Sequence, residues 1–163
     1  MDFAISDLRD RPAFLDVVAD RVWRAWWKPR GHPLERVAGG LRAALDAGPL
    51  PFAVVAHDGG AYLGSTLGVA SDLDERPGYT PWVAAVWVEP AHRLRSVGRS
   101  LVGHAAGVCF ARGFPRAYLC ASVERRDFYV RQGWVPIEAD VGPHRQTVYT
   151  MDAPAPAATG ASR

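Results

Sequence analysis

Residues Val86 to Gly107, VWVEPAHRLRSVGRSLVGHAAG, constrain the fold more than any other stretch of the chain. A β-branched apolar segment runs into Pro90 and then into a cluster of His92, Arg93, Arg95 and Arg99. Past Gly98, apolar residues recur at helical spacing. That order predicts a strand, a basic bend and a helix start. A helix start presents backbone N–H groups that lack intrahelical partners, with the positive end of the helix dipole behind them, and so forms an anion site. Gly98 lets a phosphate approach closely because no Cβ intervenes. Arg93, Arg95 and Arg99 can reach phosphate oxygens from the sides. A solvated basic helix cap is the alternative reading. Spacing excludes two better-known phosphate loops: the chain has no G-x-x-x-x-G-K-[ST], and no G-x-G-x-x-G opening a strand-to-helix turn.

The rest of the chain supplies a sheet and its cover. FAISDL (Phe3 to Leu8) alternates as a first strand. Phe14, Leu15, Val18, Val22 and Trp26 then mark a helix ending before Pro29. Leu34, Val37, Leu41 and Leu45 mark a second, over about Pro33 to Ala47. PFAVVAH and AYLGSTLGVA read as strands joined at Asp58-Gly59-Gly60, a hairpin turn signal. PWVAAVWV is the next strand. A helix over Val97 to Arg112 stops at Gly113. RAYLCA is a strand, VERRDFYVRQ a short helix ended by Gly133, and WVPIEA and QTVYTMD close the sheet. Gly103 and Gly107, four apart on the long helix, are expected to pack closely on the sheet. Hairpins followed by β-α-β-α-ββ predict an α+β or mixed α/β sheet covered by helices. One domain over residues 1–152 is expected, followed by a Pro/Ala-rich tail (153–163) with no face to bury and an expectation of disorder.

Composition narrows the function classes. The chain has 163 residues and a net charge of +2, too little for bulk attraction to nucleic acid or membrane, so basic function must be local. Cys109 and Cys120 sit in apolar contexts without metal spacing and are expected to be buried core thiols, with no metal site. No apolar run reaches the roughly 20 residues of a membrane span, and the N-terminus lacks a signal-peptide pattern. A cytoplasmic protein with no nucleic-acid or membrane partner is the expectation.

VEPAHRLRSVGRSLV resembles the acetyl-CoA signature of the GNAT superfamily of N-acetyltransferases, V-x-P-x-x-[RQ]-x-x-G-x-[GA] followed by an apolar helix. Val88, Pro90, Arg93 and Gly98 match it. Ser96 stands where the family usually has its first glycine, and Leu94 where a glycine often follows the Arg. DFYVRQGW resembles the family's xLYxxxGF element, with Tyr129, Gly133 and Trp134 in register. The resemblance runs over about Tyr62 to Met151, and element order extends it to the N-terminus. It implies the acyl-CoA N-acyltransferase fold: a central, mostly antiparallel, splayed sheet of six to seven strands flanked by about four helices in three layers.

The same resemblance implies acetyl-CoA as cosubstrate, without a metal. Backbone N–H groups of Val97, Gly98, Arg99 and Ser100, with Arg93 and Ser96 alongside, would hold its pyrophosphate. The pantetheine would lie beside Val86, Trp87 and Val88, where a bulge frees backbone donors from the ladder. Ser122 falls where the family often has an Asn touching the cofactor. The Val88 N–H would stabilise the oxyanion, and Tyr129 would protonate the leaving thiolate.

The general base stays open. Many family members place a Glu early in the fourth strand, where this chain has Trp82. Asp72, Asp74, Glu75, His57, His144 or a water are the candidates. Trp23, Trp26 and Trp27 either cap the core or a subunit contact, leaving a homodimer open, or wall an acceptor site that holds cationic amines. The expected activity is direct acetyl transfer in a ternary complex, preferably to a small-molecule amine. A peptide N-terminus or lysine is the alternative acceptor. A non-catalytic CoA-binding sensor or partner module is the alternative from another class.

Overall fold

The computed structural model describes residues 2–156. Most of the tail expected to be disordered, residues 157–163, lies outside the described residues.

The described residues form one seven-stranded sheet in the order β1-β2-β3-β4-β5-β7-β6. The strands are β1 (Ala4–Asp7), β2 (Phe52–Asp58), β3 (Ala61–Val69), β4 (Trp82–Val88), β5 (Arg116–Ala121), β6 (Val135–Val141) and β7 (Gln146–Asp152). Every neighbouring pair is antiparallel except β4–β5. Helices α1 (Leu15–Val22) and α2 (Leu34–Arg42) cover one face, and α3 (Val97–Ala111) covers the other; α4 (Arg126–Val130) follows β5. β2 shows why the sheet is doubly covered. Its run Phe52 to Ala56 is fully buried, with Phe52, Val54 and Ala56 packing toward α3 and Ala53 and Val55 toward α1 and α2. A strand buried on both faces reads as a continuous apolar run.

Three local expectations are corrected. The first helix ends before Pro29, but its α-helical part stops earlier than expected, at Val22. Past α1 the chain widens into a π-helical turn over Trp23–Trp27 and tightens into a 3₁₀ turn over Lys28–Arg30, closed by Gly31 at φ +78°. Pro29 is accommodated early in that 3₁₀ turn, where its missing N–H leaves no bond unmade. α2 is shorter than expected; it passes into a 3₁₀ turn at Ala43–Leu45, and Leu34 is exposed. Gly103 and Gly107 lie on the solvent side of α3, with no atom within 4 Å of where a Cβ would stand. Close packing does not explain them. Gly64 does have a close approach: its Cβ would lie 2.6 Å from the Trp87 carbonyl oxygen across the β3–β4 ladder. Among the described residues no helix is long and apolar enough to cross a membrane.

Candidate active site

The parallel pair β4–β5 is joined at a single register position, Trp82↔Tyr118, and the strands then part. An aromatic wedge fills the join. Tyr79 stacks on Tyr118 with centroids 4.5 Å apart, Trp82 lies 5.6 Å from Tyr118, and the Trp82 indole donates to the Tyr79 carbonyl at 2.6 Å. Beyond the join, β4 is bulged. Ser65 faces Trp87 and Leu67 faces Ala84, so Ala85 and Val86 share one position opposite Thr66. Ala85 takes a left-handed φ of +53°. Thr66 Oγ1 donates to the Ala84 carbonyl at 2.8 Å, satisfying a carbonyl beside the bulge.

The bulge sets which backbone groups stay free. Glu89 N–H donates to the Leu63 carbonyl at 2.9 Å. Antiparallel alternation then turns the Trp87 peptide groups toward β3 and those of Val88 toward the gap, while Val86 lies in the bulge itself. Of the three backbone positions expected to border a ligand, Trp87 is therefore committed to the ladder, and its indole Nε1 is buried without a partner. The Val88 carbonyl accepts from Arg93 Nε at 3.0 Å, while the Arg93 guanidinium lies over the Trp87 ring at 4.8 Å. Arg93 thus braces the strand end, with its terminal nitrogens still free to meet an anion.

The bend itself explains the two departures from the glycine pattern. Leu94 and Ser96 adopt φ of +63° and +64°, the left-handed conformation that glycine takes without strain. The backbone path of a glycine-rich loop is kept although both residues carry a Cβ. Leu94 is fully exposed, so its side chain meets nothing. Ser96 precedes α3 without a side-chain cap bond, so the N–H groups of Val97, Gly98 and Arg99 point out of the first turn. Ser100 is corrected here, because its N–H makes the first helical bond, to the Ser96 carbonyl at 3.0 Å. A Cβ on Gly98 would stand 3.5 Å from Val88 Cγ2 and 3.6 Å from Phe128 Cζ, in the seam between β4 and α4.

Two titratable groups on different elements have raised pKa values. Tyr129 on α4 is 8% exposed, packed against Phe128 and Tyr149 at 5.0 and 5.6 Å. Burial pushes its hydroxyl up to about 12, so it stays protonated. Asp72 lies in the loop before β4 and accepts a hydrogen bond from the Cys120 thiol of β5 at 3.5 Å. Asp72 itself is exposed to solvent. Desolvation raises its carboxyl above the ordinary range, against the Cys120 bond and the field of Arg30. Cys120 is therefore half-buried beside the gap rather than a core thiol, and burial with Asp72 pushes it up to about 12. Cys109 is the core thiol expected.

The remaining candidates lie elsewhere. His57 is buried, with Nε2 on Ser6 Oγ at 2.8 Å and Nδ1 on the Gly59 carbonyl at 3.1 Å; both nitrogens are engaged between β1 and the β2–β3 turn. The Glu75 carboxylate lies against Gly142 in the β6–β7 turn, and Asp74 is exposed. His144 Nε2 meets Arg30 Nη2 at 3.3 Å, linking the β6–β7 turn to the segment after α1. Trp23, Trp26 and Trp27 are half-buried against the α1–α2 core, Trp26 edge-on to Trp87 at 6.5 Å. Ser122 precedes the short turn leading to α4 and makes no side-chain cap bond there. The Asp72–Cys120 contact was not visible in the sequence because 48 residues separate the two.

The chain matches the Acetyltransferase (GNAT) family over residues 16–134. A search of curated proteins finds no match. Among solved structures, an aminoglycoside 6′-N-acetyltransferase complexed with coenzyme A superposes with a TM-score of 0.72 at 16% identity, over 94% of this chain and 99% of that one. Aminoglycoside 6′-acetyltransferase type Ii gives 0.68 at 19% identity, over 96% and 100%. The protein yncA from Salmonella typhimurium, solved with acetyl-CoA, gives 0.68 at 16%, over 99% and 100%. A match to this family over most of the chain, on a sheet unzipped between β4 and β5, places the protein in the GNAT acetyltransferase family.

Proposed function

We propose that this acetyltransferase moves the acetyl group of acetyl-CoA to a primary amine by direct attack in a ternary complex, with a small-molecule amine as acceptor. One observation carries the reading: the unpartnered N–H groups at the start of α3 lie beside the seam where β4 has parted from β5. That pairing suits a ligand with an anionic bridge and an extended arm. Acetyl-CoA supplies the activated acyl group as a thioester.

The N–H groups of Val97, Gly98 and Arg99 bind the pyrophosphate. The backbone of Val86 and Val88 lines the arm, and the Val88 N–H polarises the acyl oxygen. An alkylamine of pKa about 10.4 costs roughly 4–5 kcal/mol to neutralise at pH 7. Asp72, held more basic than an ordinary aspartate, takes that proton. Tyr129 donates a proton to the departing sulfur. Structural neighbours that acetylate aminoglycosides support a polyamine-like acceptor over a protein one. Trp82, in place of an acidic residue on β4, favours a second reading as a CoA-binding module without turnover.

Titration calorimetry with acetyl-CoA, on the wild type and on Gly98→Trp, tests the reading. Micromolar binding abolished by an indole in the seam, with an unchanged melting temperature, supports it, and a panel of amine acceptors then separates enzyme from module. No binding by the wild type would sink both readings.

A further inference from the structure

The connection from β3 to β4, residues 70–81, contains neither helix nor strand, yet it is held to the sheet at several points. Leu73 is buried in a cluster with Trp82, Val141 and Val148, and Tyr79, Tyr118 and Cys120 pack against that cluster. Among the described residues no helix contributes to it. A strap of irregular chain, rather than a helix, therefore covers β5, β7 and β6 there.

The outermost anchor of the strap is an ion pair. Arg76 Nε donates to both carboxylate oxygens of Glu138 on β6 at 2.9 Å, and Arg76 Nη2 donates to Oε1 at 2.6 Å. The two side chains are 30% and 28% exposed. A half-exposed pair contributes little to stability, but a planar guanidinium meeting one carboxylate at several atoms fixes orientation as well as distance. The Arg76 guanidinium holds the Glu138 carboxyl below the usual carboxylate range, so the pair is charged at neutral pH.

The pair is coupled to Asp72 through the backbone. Arg76 N–H donates to the Leu73 carbonyl at 2.9 Å, and Tyr79 N–H donates to the Arg76 carbonyl at 3.1 Å, so the chain from Leu73 to Tyr79 folds as consecutive turns. Asp72 immediately precedes Leu73 and accepts from the Cys120 thiol at 3.5 Å. Cys120 lies on β5 past the Trp82–Tyr118 join, where β4 and β5 have parted. One end of a single turn is thus tied to β6 while the residue before its other end rests on β5.

Resting on the reading of Asp72 as the proton acceptor, we propose that Arg76 and Glu138 are a positioning pair: by fixing the strap to β6, they hold the Asp72 carboxylate against Cys120 beside the parted strands. Both act through Asp72. They remove conformational freedom from the strap, so the carboxylate meets the acceptor's ammonium in one place. Desolvation is the largest influence on Asp72, and it outweighs the Cys120 thiol on β5 and the field of Arg30 after α1, which both favour the carboxylate. Releasing the strap returns Asp72 to water and lets its carboxyl fall toward the ordinary range. Leu73 and Tyr79 keep the strap in the fold when the pair is broken.

The test compares the wild type with Glu138→Gln, Arg76→Gln, their double variant and Asp72→Asn. Arg116→Gln, which breaks an exposed pair with Asp152, is the control. The first readout needs no acceptor: alkylation of Cys120 by iodoacetamide at about pH 8, where the thiolate is the reactive form, with buried Cys109 as the folding control. Burial and Asp72 push the Cys120 thiol up to about 12, so the wild type should react slowly. Glu138→Gln should label Cys120 about tenfold faster with Cys109 still unlabelled. The double variant should match either single one, as members of one pair do. The second readout is the pH profile of kcat/KM with spermidine as the amine. Glu138→Gln should lower kcat/KM by about tenfold, move the acid limb down, and leave the KM for acetyl-CoA within about twofold. An unchanged alkylation rate in Glu138→Gln, the same acceleration in Arg116→Gln, or single effects that add in the double variant overturns the inference while the reading of Asp72 stands. So does an unmoved acid limb in Glu138→Gln where Asp72→Asn has abolished it. An acid limb that survives Asp72→Asn overturns the reading of Asp72 as the base, and the inference with it.

Discussion

The two ends of β4 are built on opposite principles. At the Trp82 end the strand is stitched to β5, its side chain is fully buried, and its indole N–H is satisfied within three residues. At the Val88 end the strand has lost β5, carries a bulge, and leads into a bend with two left-handed non-glycine residues and a run of free amides. One end is dry, aromatic and saturated; the other is wet, basic and unsatisfied. A single seven-residue strand thus anchors the sheet and opens it, and the aromatic wedge holds that opening in place.

Breaking the closed end should have the largest effect. Trp82→Ala leaves a cavity under Tyr79 and Tyr118 and should cost about 3–5 kcal/mol in chemical denaturation. A loss below 1 kcal/mol would show that the wedge does not hold the join. At the open end, Tyr129→Phe should lower kcat by about 10²–10³-fold with little change in acetyl-CoA affinity; unchanged turnover would remove the hydroxyl from the chemistry. Asp72→Asn at the same end should lower kcat/KM by about 10²-fold and abolish the acid limb of its pH profile, which in the wild type should lie above the ordinary aspartate pKa of 3.8. The sign for stability is opposite. A carboxyl whose folded pKa is raised stabilises the fold only below its unfolded pKa, and that contribution is lost as pH rises through the folded value. At neutral pH Asp72→Asn should therefore melt no lower than the wild type. The smallest effect belongs to the bend. Ser96→Gly relieves a left-handed serine, worth about 1 kcal/mol, but adds unfolded-state entropy of similar size, so stability should move by less than about 1 kcal/mol either way. A larger loss would mean that the bend does not hold this conformation in solution.

How far the sequence could be read divides along the same line. Strands and helices with regular apolar spacing were legible, as was the bend, because each depends on residues close in the chain, and the resemblance implied a splayed sheet of six to seven strands without its order. The bulge was not legible residue by residue, since Ala85 gives no sign of a φ of +53°. The departures at Leu94 and Ser96 looked like lost glycines, yet the backbone keeps their conformation. The commitment of Ser100 N–H is an ordinary helical bond fixed by where α3 begins, whereas the bond of His57 to Ser6 is a tertiary fact that no local pattern carries. The meeting of Asp72 with Cys120 is of the same kind. The π turn after α1 was missed because Pro29 signals a stop, whereas a 3₁₀ turn admits it.

The parting of β4 from β5 also bears on how the molecule avoids its own copies. Unpaired strand edges recruit other chains, and this sheet has four of them. Two face each other inside the wedge, where a foreign strand would have to enter between two strands still joined at one end. The outer two are blunted by other means. β1 is four residues long and ends in Asp7, while β6 carries Pro136, Glu138 and Asp140 and is broken by two register shifts. Among the described residues, the remaining two free edges are thus turned inward, where the joined end of the wedge leaves room for a slender ligand and hinders a foreign strand.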